Sequence, residues 1–307
     1  MPTNPLESIL YRELSKTEAK EIIDIASPLL QELVNFATNA LARCATSQDL
    51  SGKEDEDVAV LALYRHITEL TDGIEVLLSQ SCAMAAIPVL RSSFETLLAM
   101  EYILENESIY VQRSLAWMLG YAHRRIDMYE RLDPSTSKGQ GTKRLFDEDK
   151  IMASMLKTLL PVEEAQKAKA RLQTMLTKPH FQPIETEYNS HKKPEWYRLF
   201  DGPNNLRELA VRLRRGGLYE ILYRQWSTTA HAQDLLPFMD RTLKGAPTIK
   251  RLRDTGRIRE IASFAAGFIL RATMLILKKL RSGEDITPWY KREVRELYRS
   301  LSGMDAV

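Results

Sequence analysis

Apolar residues recur at three- and four-residue spacing along most of the chain, the period that buries one stripe of an α-helix. The spacing predicts helices over 16–46, with a kink or break at Pro28, over 58–79, over 83–105 and over 108–132. Pro88 falls in the first turns of the third of these. Two shorter helices are expected on either side of Pro161, followed by helices over 204–214, 218–231 and 257–280 and a short one over 287–301. The polar run "SQDLSGKEDED" reads as a linker, and "DPSTSKGQGTKR" (133–144) as a flexible loop. The stretch "TKPHFQPIETEYNSHKKPEW" holds three prolines without a sustained period, so a long irregular connection is expected there. No segment alternates apolar and polar residues long enough for a strand. The expected fold is all-α, a multi-helix bundle whose core comes from 55–132 and 204–283. Residues 1–54 would add an N-terminal helical segment and linker, 133–203 an inserted segment, and 284–307 a C-terminal helix.

Composition agrees with that outline. Hydrophobic residues make up 44% and charged residues 27% of 307, enough for a sizeable core. Thirteen glycines and thirteen prolines are too few for a turn-dense β-sandwich or a disordered chain. Two cysteines, Cys44 and Cys82, cannot build a disulfide framework or a four-thiolate zinc site, and both read as structural thiols. The start "MPTNPLESILYREL" lacks the basic and apolar regions of a signal peptide. The most apolar stretch, 261–280, carries Arg271 near its middle, which is costly in lipid. A buried core helix is expected there rather than a membrane span, and the protein is expected to be soluble and cytoplasmic.

Charge is unevenly distributed. Between Arg207 and Arg259 there are twelve Lys/Arg against five Asp/Glu, while the rest of the chain is slightly acidic. Such clustering suits a nucleic-acid footprint and equally suits a solvated basic surface. Inside this region "LYRQWSTTAHAQD" (222–234) concentrates chemistry. At about 100° per residue, Tyr219, Leu222, Tyr223, Trp226 and Ala230 form an aromatic core-facing stripe. Glu220, Arg224, Ser227 and His231 form an adjacent polar arc. A histidine titrating near neutrality can move a proton from a ribose 2′-OH or to a leaving 5′-oxygen, and an arginine can bind the phosphate. Together they could cleave RNA without a metal. Arg212, Arg214 and Arg215 would supply an electrostatic track. An interhelical network, with Glu220 pairing Arg224 and Ser227 bonding His231, has the same sequence pattern.

A second constellation lies on the otherwise apolar helix 85–104, where Arg91, Glu95 and Tyr102 share one face. Charges on such a face should pair or line a cavity. Arg91 and Glu95 can pair with each other, or this helix can pack on the motif helix and help orient His231. His66 and His123 read as structural or surface groups, and His180 and His191 fall in the irregular connection. There is no HExxH, CxxC, Walker loop, GxGxxG or GxSxG, so no metal or cofactor is expected.

Two segments resemble a bacterial all-helical family of unknown function that carries R-S-x-x-E and, much later, Y-x-x-x-S-x-x-x-H. Here these are Arg91-Ser92-Ser93-Phe94-Glu95 and Tyr223, Ser227 and His231. Arg224, six residues and His231 also resemble the R-x(4–6)-H signature of the HEPN superfamily. That resemblance implies a HEPN-like helical core, often dimeric, acting as a metal-independent endoribonuclease in toxin–antitoxin or phage-defence systems. It implies Arg224 and His231 as the catalytic pair meeting across a homodimer, with RNA as substrate and an antitoxin or defence partner. Glu220, Ser227, Tyr223, Arg91 and Glu95 would orient them. The chain departs from the superfamily in its length and in the long insertion at 133–203. The competing expectation is a non-catalytic helical interaction or regulatory protein held by a buried polar network. A small-ligand or nucleotide sensor is a third.

Overall fold

The computed structural model describes residues 10, 12–46, 56–149, 162–230, 239–241, 245, 247–253 and 255–302. They form helices almost throughout. The one sheet among them is a two-stranded antiparallel hairpin, β1 (Met239–Arg241) with β2 (Pro247–Ile249), in which Met239 pairs with Ile249 and Arg241 with Pro247. The all-α expectation is met, with this hairpin added.

The chain divides into two compact units, one made of 1–106 with 207–307 and the other of 107–206. The first unit opens with a short helix α1 (Arg12–Glu18) and is built on four long helices in mutual contact. These are α2 (Lys20–Thr46), α3 (Val58–Ser79), α4 (Ala83–Leu104) and α11 (Ile258–Leu280). Their facing stripes supply Leu29, Leu30, Ile67, Ile74, Leu90, Phe94, Ile269 and Ile276, all fully buried. Each such side chain stabilises the fold by ~1.5–3 kcal/mol relative to exposure. The break expected at Pro28 is absent, because α2 runs through it. One backbone hydrogen bond is lost there, while Ala26, Leu29, Leu30 and Leu33 around it are buried and hold the helix in place. Three residues join α3 to α4, with Ser81 in the left-handed region at φ 55°, so the chain reverses sharply and the two helices lie side by side. Deep in this core the Tyr64 hydroxyl meets Thr273 Oγ1 at 2.9 Å, which satisfies both buried groups.

Two helices of this unit, α4 and α11, are long and apolar enough to cross a membrane by length and composition, and 61% of each apolar window is buried within the fold. Arg271 of α11 pairs with Glu101 of α4, as described below.

The second unit gathers around α5 (Tyr110–Leu132). Against it pack α6 (Ser137–Glu148), α7 (Val162–Leu176), α8 (Gln182–Asn189) and a 3₁₀ turn at Trp196–Arg198. Helix α5, grouped in the sequence reading with the core at 55–132, therefore packs with the helices of the 133–203 stretch. Two local expectations are corrected here. The loop expected over 133–144 is largely helix α6, and the irregular connection after 177 contains α8.

The reason is tertiary and capping chemistry that composition hides. Thr136 caps α6, its hydroxyl accepting from Gly139 N–H at 2.9 Å and donating to the Glu130 carbonyl at 2.6 Å. Asp133 accepts from Ser135 N–H (2.9 Å) and from Gln166 Nε2 (2.9 Å). Lys138 bridges Asp127 (2.7 Å) and Glu130 (2.8 Å) on α5. Gly139 is required for this closeness, since a Cβ there would lie 1.8 Å from the Asp133 carbonyl oxygen. The first of the two short helices, expected just before Pro161, falls largely on 150–161, outside the described residues.

Candidate functional site

The motif segment belongs to the first unit and is reached through α9 (Leu206–Arg212). A helical turn at Gly216–Leu218 leads into a π-helical stretch, Tyr219–Tyr223, and then into α10 (Arg224–Ala230). The stretch closes with the Arg224 N–H donating to the Tyr219 carbonyl, five residues back. This wider turn means that a 100° wheel does not hold across 219–223. It delivers Tyr223 and Trp226 into the core, 6% and 0% exposed, and leaves Tyr219 and Leu222 half-buried. The Trp226 ring stands edge-on to Phe94 at 6.5 Å and Phe264 at 5.6 Å.

Helix α10 packs on α4, and this contact assembles a three-member cluster. The Tyr223 hydroxyl donates to Glu95 Oε1 at 2.8 Å and accepts from Arg91 Nη2 at 3.0 Å. Arg91 and Glu95 also pair directly at 3.2 Å, and the Arg91 guanidinium lies 5.0 Å from the Tyr223 ring centroid. Burial, reinforced by the Glu95 carboxylate, pushes the Tyr223 phenol up to about 12. The phenol is therefore a fixed neutral donor at physiological pH, and the cluster carries no net charge. The R-S-x-x-E helix and the Y-x-x-x-S helix are thus brought together through Arg91, Glu95 and Tyr223.

The polar arc is a different environment. The Arg224 side chain is 66% exposed and bonds Glu220 Oε2 at 2.9 Å across one turn. Arg207, from α9, bonds the other oxygen of the same carboxylate. The two guanidiniums, Arg207 first, hold the Glu220 carboxyl below its ordinary range. Two cations sharing one carboxylate leave a net positive charge at the surface. Ser227 sits beside them, half-buried and without a side-chain hydrogen bond to any described residue. His231 lies outside the described residues.

The expected RNA track is differently employed. Arg212 forms a forked pair with Glu105, Nε at 3.0 Å and Nη2 at 2.9 Å, and stacks over Tyr102. Arg215 forms a second forked pair with Glu101, Nε at 3.1 Å and Nη2 at 2.7 Å. Arg271 of α11 donates to the same Glu101 at 2.8 Å. Arg214 is exposed, in the left-handed region at φ 59°. Of the three, Arg214 alone stands outside these carboxylate pairs.

Glu101, Glu105 and Arg271 are functional neighbours that the sequence reading did not single out as partners. The signal was there: a charge within an apolar helix must find a counter-charge. Arg271 and Glu101 each interrupt an apolar helix, and each is the other's answer. What spacing could not supply was the pairing between helices 170 residues apart in sequence.

A search of curated proteins and of solved structures finds no match to the chain. A family model does match residues 57–245, from the start of α3 to the hairpin, and so spans both motif helices and the whole second unit. The chain belongs to that family, DUF5677, a family of unknown function.

Proposed function

We propose that the protein is a metal-independent endoribonuclease acting as a cytoplasmic homodimer with a HEPN-like core. The observation that supports this best is the state of Arg224. It is two-thirds exposed, tied at one point to Glu220, and backed by Arg207 so that positive charge remains for a phosphate. Beneath it the neutral Arg91–Glu95–Tyr223 cluster fixes α10 on α4, which positions the arc without spending its charge. The cations suited to the RNA backbone are then Arg207, Arg214 and Arg224, with Arg212 and Arg215 held in carboxylate pairs.

In this reading one His231 imidazole of the dimer takes the proton of a ribose 2′-OH. The 2′-oxygen then attacks the adjacent phosphorus and the P–O5′ bond breaks. The second imidazole, protonated, delivers a proton to the departing 5′-oxygen. Arg224 binds the non-bridging oxygens as charge builds. The products are a 2′,3′-cyclic phosphate and a 5′-hydroxyl.

The test is cleavage of single-stranded RNA in EDTA by the wild type, Arg224→Ala and His231→Ala. The expected result is cyclic-phosphate ends from the wild type and a loss of at least ~100-fold in each variant. Arg224→Ala should leave the melting temperature unchanged, because exposed substitutions cost within ~0.5 kcal/mol.

The alternative, a non-catalytic interaction protein, draws on the same Arg91–Glu95–Tyr223 cluster, which is neutral and internally bonded. It is favoured if the wild type leaves RNA intact while His231→Ala lowers the melting temperature by several degrees.

A further inference from the structure

The first unit contains a cavity of about 710 Å³ between α11 and the C-terminal segment, which Arg215 reaches from just before the motif helix. That segment has a turn at Thr287–Trp289, a π-helical stretch at Tyr290–Val294 and a final helix α12 (Arg295–Ser302). Four cations line the cavity, Arg215, Arg271, Lys291 and Arg295, and among the described residues no carboxylate does. Two acids stand close by. Glu101, 5% exposed, clamps Arg215 and Arg271, and Asp285 bonds the Thr287 N–H at 2.9 Å. Glu101 thus sets one carboxylate against two guanidiniums, which leaves positive charge at that wall of the cavity.

The clamp has a consequence for binding. Glu101 engages Nε and Nη2 of Arg215 and Nε of Arg271, and the remaining N–H groups of both forks are available to a ligand. The two guanidiniums are thereby held in fixed orientation, so little side-chain entropy is lost when an anion binds. The C-terminal cations come from the π-helical stretch and the start of α12. The Arg295 N–H donates to the Tyr290 carbonyl, five residues back. This wide turn swings Arg295 toward the side that carries Tyr290, which an α-helical turn would not do.

The rest of the wall is apolar or aromatic. Leu270 and Met274 contribute from α11, and Tyr290 and Tyr298 contribute half-buried rings. Gly267 keeps α11 thin there, so that Tyr298 Oη would come within 3.5 Å of a Cβ at that position. Cations interleaved with aromatic and thioether surface match a ligand that carries both phosphates and a planar ring. The volume lies within the range of pockets for such molecules, about 300–1,000 Å³.

We propose that this cavity is a binding site for a nucleoside polyphosphate, with Arg215, Arg271, Lys291 and Arg295 taking the phosphates and Tyr290, Tyr298 and Met274 taking the base. The site does not depend on RNA cleavage, and Arg224 has no part in it.

The experiment is titration of the full chain with N-methylanthraniloyl-ATP, followed by fluorescence, with ATP and inorganic pyrophosphate as competitors. Saturable binding is expected, displaced by ATP at least ~10-fold better than by pyrophosphate, since the ring contributes a stacking term of ~1.4 kcal/mol or more. Lys291→Glu reverses an exposed charge at the rim and should weaken binding at least ~10-fold with an unchanged melting curve. Met274→Trp fills the base end and should abolish binding. Arg224→Ala should bind as the wild type does. The proposal is overturned if the wild type shows no saturable binding, if pyrophosphate competes as well as ATP, or if Lys291→Glu and Met274→Trp both bind normally.

Discussion

Tyr223→Phe removes one oxygen and leaves the ring, so it isolates what the phenol does between the two motif helices. The ring keeps its neighbours, with Phe94 at 5.8 Å and Tyr219 at 4.8 Å, and Arg91 can still lie over its face. What is lost is a donor to Glu95 and an acceptor for Arg91, at 2.8 and 3.0 Å. Hydrogen bonds to charged groups contribute ~1.5–3 kcal/mol each when dry. Here Glu95 is 42% exposed and the two ions still pair with each other, so water and the partner recover part of that. A net cost of ~1–2 kcal/mol at pH 7 follows.

The pH dependence gives a sharper signature. The phenol titrates near 10 in the unfolded chain and about 12 in the fold. A raised pKa contributes stability that is fully present below pH 10 and is lost as pH rises toward 12. By pH 11 roughly one pKa unit's worth of that stability, on the order of 1 kcal/mol, has gone. Phenylalanine has nothing to titrate, so the gap between wild type and variant should close nearly to zero at pH 11. Urea unfolding followed by tryptophan emission, at pH 7 and pH 11, measures both numbers, and Trp226 beside Phe94 reports on this unit. A gap under ~0.5 kcal/mol at pH 7, or one that stays constant to pH 11, refutes the reasoning.

Two further outcomes concern the second unit. Gly139→Ala should destabilise it by ~2 kcal/mol or more, because the new Cβ collides with the Asp133 carbonyl and the backbone must move; proteolysis within 137–148 should accelerate, and an unchanged rate would refute the close approach. Asp127 is held down to about 2, chiefly by the Lys138 hydrogen bond and then by Arg131. Its contribution is therefore present above pH ~4 and lost as pH falls through 2. With its side chain 34% exposed the effect is screened to under ~1 kcal/mol. The melting difference between wild type and Asp127→Asn should shrink between pH 5 and pH 2, and a constant difference would sink the assignment.

Helix positions were legible in the chain wherever the amphipathic period was long. Val58–Ser79, Ala83–Leu104 and Ile258–Leu280 sit within a residue or two of their expected ranges. Each has an apolar stripe that no other local structure could bury. The stretch around Gly139 was illegible for the converse reason. Glycine, serine and threonine have weak helix propensity, and what makes them helical there is a cap and two lysine bridges to α5. The candidate site divides in the same way. The pairings of Glu220 with Arg224 and of Arg91 with Glu95 follow from four-residue spacing alone. That Tyr223 joins the second pair, and that Arg212 and Arg215 belong to Glu105 and Glu101, required knowing which helices touch.

By itself, then, the sequence determined the all-helical class and the extent of the long helices. These are one-dimensional properties, fixed by the period of an α-helix and by local hydrogen bonding. Only the tertiary structure decided which charges remain available. Guanidiniums look alike along the chain, but a carboxylate delivered from a helix more than a hundred residues away in sequence neutralises Arg212, while two of them share Glu220 and another two share Glu101. Where one carboxylate serves two arginines, positive charge is left over, as it is at the polar arc beside Ser227 and at the cavity lined by Tyr290.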